Sequence, residues 1–176
     1  KAHELNDNDF EVHRLMAEVN LSGRNFRVAE RHAAKAYKMV PNDPRVLSVY
    51  GEVSLRLGKI DQGLDALKLA LEIDPIAQGK TNSDSRTSPV LFGEYLARNK
   101  DNCLELVEKL EDIDSKSWLL TAKLCSDEEH DITEEDWYKR GKEEFNDKDW
   151  AAEVDSFRLN NEGAKESLIE FAESLF

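Results

Sequence analysis

Residues Phe10 to Asp43 align with residues Pro44 to Ala77 at an offset of 34, and this internal repeat narrows the possible folds more than any other feature of the chain. A unit of that length cannot bury its own apolar face, so it must stack on a neighbour. Met16, Ala17, Ala29, Ala36 and Pro41 of the first copy stand where the second has Tyr50, Gly51, Gly63, Ala70 and Pro75. Small residues recur where paired antiparallel helices cross, because two backbones approach closely only where neither carries a bulky side chain. The proline closes the second helix, since it has no N–H to continue it. Carried backwards, the register puts Ala2 on the position of Ala36 and Asp7 on that of Pro41. The chain is therefore expected to open inside a repeat, as a fragment of a longer protein.

Apolar periodicity supports the helices independently. Val12, Leu15, Met16 and Val19 fall at i, i+3, i+4 and i+7, and Ile60, Leu64, Leu67 and Leu71 at i, i+4, i+7 and i+11, each set forming one apolar face. Asp43 before Pro44 reads as an N-cap acceptor followed by a proline at the first helical position, and Ser88 with Pro89 reads the same way. Gly58 marks the turn inside the second pair. Residues 76–88, IAQGKTNSDSRTS, are polar and aperiodic and are expected to be a mobile loop. From Ser88, the residues Leu91, Tyr95, Cys103, Val107 and Leu110 read as a third, degenerate pair, in which Gly93 falls two places late if Cys103 takes the small position of Ala29. A shortened or displaced helix would produce that shift. Trp118 to Cys125 predicts a short apolar helix. Thr133 with Asp136 resembles a capping box opening a helix through Trp137, Gly141 and Phe145. Ala164, Leu168, Phe171 and Leu175 predict a final amphipathic helix from about Asn161.

Charge is unevenly distributed. The net charge is −13, yet residues 1–80 hold 12 basic and 12 acidic side chains, so the excess lies wholly in residues 81–176. A phosphate backbone would be repelled by that half and would meet no basic stripe in the other, which argues against a nucleic-acid partner. No run of about 18 apolar residues is present to span a membrane, and KAHELNDNDF lacks the order of a signal peptide. A cytoplasmic chain without a membrane partner is expected. Cys103 and Cys125 have neither disulfide-framework nor zinc spacing and read as buried, reduced thiols.

With small residues at the crossings and PNDP and IDP at the repeat ends, the first half resembles the tetratricopeptide repeat family, well over residues 1–77 and loosely over 88–125. The resemblance implies an all-α, right-handed α-solenoid of antiparallel helix pairs closed by C-terminal capping helices. Residues 1–125 would hold repeats at about 10–43, 44–77 and 84–117, and residues 126–176 a helical extension and cap. Such a family implies a non-catalytic module that grips a peptide or helix of another protein in a concave groove lined by the first helix of each pair. By position the groove residues would be Arg14, Glu18, Leu21 and Ser22, then Arg45, Ser48, Glu52, Leu55 and Arg56. Glu18 and Val49 stand where members that clamp a chaperone's C-terminal carboxylate need asparagine, so that activity is not expected. Self-association through repeat ends is the alternative. The tail SFRLNNEGAKESLIEFAESLF also resembles the end of tetratricopeptide regions in bacterial nucleotide-cyclase-like regulators, which would make the fragment an intramolecular regulatory arm.

Catalytic readings find little purchase. Cys125, Asp127, Glu128, Glu129, His130 and Asp131 form the densest set of potential metal ligands, but their spacing matches no helix-borne zinc motif and no calcium loop, so a metal-dependent enzyme is the remotest reading. His13 and His32 lie within predicted helices with no nucleophile motif near them. Phosphate loops, dinucleotide turns and nucleophile elbows are absent, and no cofactor is expected. Trp118, Trp137 and Trp150 have periodic neighbours and read as core positions.

Overall fold

The computed structural model describes residues 9–75, 87–110, 114–146, 150–160 and 166–175, with the side chains of 146, 156–160 and 166 outside the description. Among the described residues ten helices and no strands are found. They are α1 Phe10–Ser22, α2 Phe26–Met39, α3 Pro44–Arg56, α4 Ile60–Ile73, α5 Thr87–Leu96, α6 Lys100–Glu108, α7 Ser115–Asp127, α8 Asp136–Asn146, α9 Trp150–Asn160 and α10 Glu166–Ser174. Two compact units divide the chain, Lys1–Ala97 and Arg98–Phe176.

In the first unit the repeat is visible helix by helix. α1 and α3 each have 13 residues and α2 and α4 each have 14, with starts displaced by the repeat offset. The carboxylate of Asp9 accepts the Glu11 N–H at 2.9 Å, and that of Asp43 accepts the N–H groups of Arg45 and Val46 at 2.9 and 3.2 Å. α1 and α3 are thus capped by the same residue type in the same register, satisfying donors that have no intrahelical partner. The turns match as well. Arg24 and Gly58 take the left-handed conformation, at φ 58° and 75°, and the N–H groups of Asn25 and Lys59 reach back five residues to the carbonyls of Asn20 and Ser54 at 2.8 and 2.9 Å. This closure reverses the chain in three residues and satisfies orphan carbonyls.

Packing runs from each helix to the next, α1 on α2, α2 on α3, α3 on α4 and α4 on α5. The crossings are set by small residues, as the repeat alignment predicts. Ala17 and Ala29 are fully buried in the first pair. In the second, a Cβ on Gly51 would lie 2.6 Å from Leu67 Cγ and 2.9 Å from the Gly63 carbonyl oxygen, and one on Gly63 would lie 2.9 Å from the Gly51 oxygen. The two backbones are therefore in direct contact. Around these crossings Ala17, Ala29, Ala33, Val49 and Val53 form one core cluster with Leu21, Tyr50 and Leu57 packed against it. Tyr37 stacks on Tyr50 with ring centroids 4.5 Å apart.

Two expectations for this unit are corrected. The periodic set of α1 does not form a buried face: His13 and Ala17 are its buried residues, while Leu15 and Val19 are 47% and 68% exposed. Periodicity specifies a face, but another helix must cover it. α5 begins at Thr87, so Ser88 and Pro89 are its second and third residues rather than a cap and first position. Proline is tolerated there because the first four N–H groups of a helix have no intrahelical acceptor. The rest of the predicted loop, 76–86, lies outside the described residues. α5 and α6, at 10 and 9 residues, are shorter than the helices before them.

The second unit is built on Trp118 of α7, which is fully buried. Its indole stacks on Tyr138 at 5.3 Å, meets the edge of Trp150 at 5.8 Å and donates to the Tyr138 carbonyl at 3.3 Å. Gly141 of α8 lies beneath it, where a Cβ would come within 2.3 Å of the ring. α9 is joined to α10 by the Trp150 indole N–H, which donates to the Ala172 carbonyl at 2.8 Å. The three tryptophans are thus core residues. α8 starts three residues after Thr133, whose N–H and hydroxyl both donate to Asp131, so the expected capping box is replaced by a turn around an aspartate. Leu168, Ile169 and Ala172 form the buried face of α10, and Ala164 lies outside the described residues.

Gly51→Ala is expected to lower stability by about 1–3 kcal/mol through overpacking against backbone, outweighing the ~1 kcal/mol that alanine gains in helix propensity. Urea unfolding followed by far-UV circular dichroism would show the midpoint shift, and an unchanged or raised midpoint would contradict the backbone contact.

Candidate functional site

The helix positions assigned to a groove fall into two groups. Arg14, Glu18, Arg45, Ser48, Glu52 and Arg56 carry polar groups on α1 and α3, which touch each other directly. Ser22 is exposed at the end of α1. Leu21 and Leu55 instead turn into the core. Leu21 packs against the Ala17 cluster, and Leu55, 4% exposed, lies where Cβ atoms on Gly63 and Gly93 would strike it. The repeat explains the pair, since Leu21 and Leu55 are the same position one period apart. Val49 is also core, at 6% exposure, so its identity says nothing about a surface.

Glu11, absent from the sequence-based set, is the hub of the charged residues. Arg14 Nε and Nη2 donate to its two oxygens at 3.0 and 2.7 Å, and Arg45 Nη1 lies 3.5 Å from it. Arg14 also donates to Glu18, and Arg45 Nη2 to Asp43 at 2.8 Å. Glu11 and Arg45 are one repeat period apart, so equivalent positions of adjacent first helices carry opposite charges and meet. That signal was available in the sequence. The Arg14 side chain, only 11% exposed, is held between two carboxylates. Arg45 and Arg56 are more open, with guanidinium carbons 6.0 Å from the Phe10 ring centroid and 5.1 Å from that of Phe92.

These contacts move the carboxyl groups. The hydrogen bond from Arg14 holds Glu11 below the usual carboxylate range, helped by the charges of Arg14 and Arg45 and opposed by partial burial. At Asp43 burial pushes upward, but the Arg45 hydrogen bond and the N–H groups of Val46 and Arg45 more than offset it, and the net direction is downward. Such exposed pairs contribute about 0–1 kcal/mol each. They orient side chains more than they hold the fold.

In the 125–131 cluster three carboxylates make other contacts. Asp127 pairs with Arg98 at 3.1 Å and with Lys123, Glu128 pairs with Lys100 at 3.1 Å, and Asp131 accepts from Thr133. Burial pushes the Cys125 thiol up to about 11. Among the described residues no group of three or more histidine, cysteine, aspartate or glutamate side chains is placed to hold a metal. His13 and His32 bring their Nδ1 atoms to 3.0 Å with ring centroids 5.2 Å apart. That head-on alignment suits one N–H donating to the other lone pair, whereas two lone pairs on a shared ion would converge at an angle.

No family model matches the sequence, and no curated protein matches it. A solved structure does: that of PilF from Pseudomonas aeruginosa, a tetratricopeptide-containing protein, has a TM-score of 0.61 and 15% identity to this chain, covering 96% of it and 68% of the PilF chain. The fold is of the tetratricopeptide type. At that identity the likeness concerns the fold alone. Tetratricopeptide folds are typically non-catalytic and mediate contacts between proteins. Among the described residues no helix is long and apolar enough to cross a membrane.

Both carboxyls are depressed in the folded state, so the stability they contribute is complete above the ordinary carboxylate value of about 4 and is lost as pH falls through their lower folded values. Thermal midpoints are expected to fall between about pH 5 and about pH 2, and to fall less in a Glu11→Gln/Asp43→Asn double variant. Equal slopes in both proteins would remove the two groups from the acid response. A second expectation concerns the thiols, both buried. A disulfide reagent at about pH 8 should label neither Cys103 nor Cys125 until denaturant is added.

Proposed function

We propose that the polar face shared by α1 and α3, and continued by Phe92 of α5, binds a peptide or helix of a partner protein, and that the chain itself catalyses nothing. One observation carries the reading: the first helices of successive repeats touch, α1 with α3 and α3 with α5, so their polar positions are gathered on one surface. A tetratricopeptide fold supports it, because protein contacts are what this fold generally mediates.

Within that surface the residues differ in what they offer. Arg14 is already bound to Glu11 and Glu18 and is best read as a brace. Arg45, which pairs with Asp43 and Glu11 but is 48% exposed, and Arg56, also exposed, lie near aromatic rings and are the better contacts, since a desolvated arginine beside an aromatic is a common anchor. Mixed charge along the face suits a partner segment of mixed charge rather than a polyanion. The acidic excess of residues 81–176 supports a reading without nucleic acid. Buried, reduced cysteines are in keeping with a cytoplasmic module, and no cofactor enters the proposal.

The test is an affinity capture from the source lysate with the wild type and an Arg45→Glu/Arg56→Glu variant, with mass spectrometry of the retained proteins. Arg14 is left alone, because a glutamate there would face Glu11 and Glu18 at a largely buried position and unsettle α1, whereas Arg45, which also meets two carboxylates, is half-exposed and its exchange is screened by solvent. A protein retained by the wild type and lost at least tenfold in the variant, at unchanged helicity, is the expected result. Identical retained sets would reject the face.

A further inference from the structure

The second helices of the two repeats carry opposite charges at equivalent positions. On α2, Arg27, Arg31, Lys35 and Lys38 fall at i, i+4, i+8 and i+11 and are all exposed. They lie opposite Ala29, Ala33 and Ala36, which are buried. One period on, the same four positions of α4 are Asp61, Asp65, Leu69 and Glu72, again exposed and again opposite the buried Gly63, Leu67 and Ala70. The expectation that residues 1–80 hold no basic stripe is corrected by α2, whose cations are separated along the chain and gather only at helical spacing. Both ridges end on apolar residues. Met39 and Ile73, four residues beyond Lys35 and Leu69, are 40% and 45% exposed, and Leu69 itself is 37% exposed.

Within one copy the two ridges do not neutralise each other. α2 packs on α1 and α3, and α4 on α3 and α5. Among the described residues Arg31, Lys35, Lys38, Asp61, Asp65 and Glu72 form no ion pair, and Arg27, with Glu30 at 3.5 Å, is 83% exposed.

We infer that the outer face of α2 and α4 is self-complementary and docks a second copy of this chain. A two-fold axis running between α2 and α4, along their length, lays α2 of one copy on α4 of the other with both helices in the same direction. Each position then meets its repeat counterpart: Arg27 meets Asp61, Arg31 meets Asp65, Lys38 meets Glu72 and Met39 meets Ile73, and the two-fold makes every contact twice. An axis across the helices would instead set α2 on α2 and cation on cation, so the charges admit one orientation. They also select the occupant. An acidic partner or a nucleic acid would suit α2 alone, and the acidic ridge of α4 beside it would repel either one. With 12 basic and 12 acidic side chains, residues 1–80 meet their own copy without net repulsion. Helices of 14 residues give a face about 21 Å long and about 20 Å wide, on the order of 400 Å² per copy, which is the size of a transient and not an obligate interface. None of these residues belongs to the α1–α3 face proposed for a partner peptide.

Sedimentation velocity of the full chain from about 5 to about 300 μM, at about 50 mM salt, should show a monomer–dimer equilibrium whose Kd rises at least tenfold at about 500 mM salt. Arg31→Glu/Lys38→Glu and Asp65→Lys/Glu72→Lys should each be monomeric at unchanged helicity, because each sets like charges against each other. Mixed in equal amounts, the two variants should form a heterodimer: the acidic α2 of the first matches the basic α4 of the second, and their unaltered ridges match as well. That recovery is beyond a misfolded variant. A wild type that stays monomeric throughout, a dimer that survives either reversal, or a mixture that stays monomeric would overturn the inference. Arg45→Glu/Arg56→Glu should dimerise as the wild type does, and its failure to do so would overturn the inference by moving the contact to α3.

Discussion

The contact between the backbones of α3 and α4 at Gly51 and Gly63 governs the first unit. With a side-chain carbon at either position, one helix would have to move off the other, because a carbonyl oxygen of the facing helix, as well as a leucine side chain, stands within 3 Å of it. In the preceding pair Ala17 and Ala29, both fully buried, occupy the same two positions with one methyl more on each side. Once the helices of a pair are that close, the residues flanking the crossing are assigned. Val49 and Val53 go under α2, Leu55 goes toward α4 and α5, and the opposite side of α3 is left to Arg45, Ser48, Glu52 and Arg56. Buried apolar area is worth roughly 25 cal/mol per Å², so a displacement of one helix is resisted by the whole face it covers.

The charged face follows from repetition as much as from composition. Because α1 and α3 are equivalent elements side by side, any position on one meets its counterpart on the other, and opposite charges at that position, Glu11 and Arg45, become a bridge between repeats. A second-unit analogue of the crossing uses different chemistry with the same logic. Trp118 fills the space that Gly141 leaves, and the ring is then surrounded by Tyr138, Phe145 and Trp150. Small against small brings two backbones together in one unit; small against large seats an indole in the other.

Several features were legible without coordinates because they depend on local chemistry. Asp43 with Pro44 is such a case: the cap acceptor and the proline act within one turn, and the structure has both in those roles. Local signals failed where a competing local partner existed. Thr133 offered a capping hydroxyl, but Asp131 two residues earlier took it. Ser88 with Pro89 matched the cap pattern, yet proline fits any position of the first turn, so the pattern does not fix the boundary. α9 was missed, although Trp150 and Val154 are spaced by one turn and both are buried. Among the groove residues, Leu21 and Leu55 turn inward together, because they hold the same position one repeat apart.

By itself the sequence determined the repeat length, the pairing of the first four helices, the Asp43–Pro44 cap and the crossing points of those pairs, because each depends on residue size or on hydrogen bonds within a few positions. Tertiary structure alone decided which periodic faces are buried. Val12, Leu15, Met16 and Val19 have the spacing of a core face, as their counterparts on α3 do, and only the presence of α2 over the second set makes it core. It also decided which arginines reach the surface. Arg14 and Arg45 look alike in sequence and each meets two carboxylates, but the first is 11% exposed and the second 48%. Burial is a property of neighbours brought from elsewhere in the chain, and a periodic pattern records the face without recording what meets it.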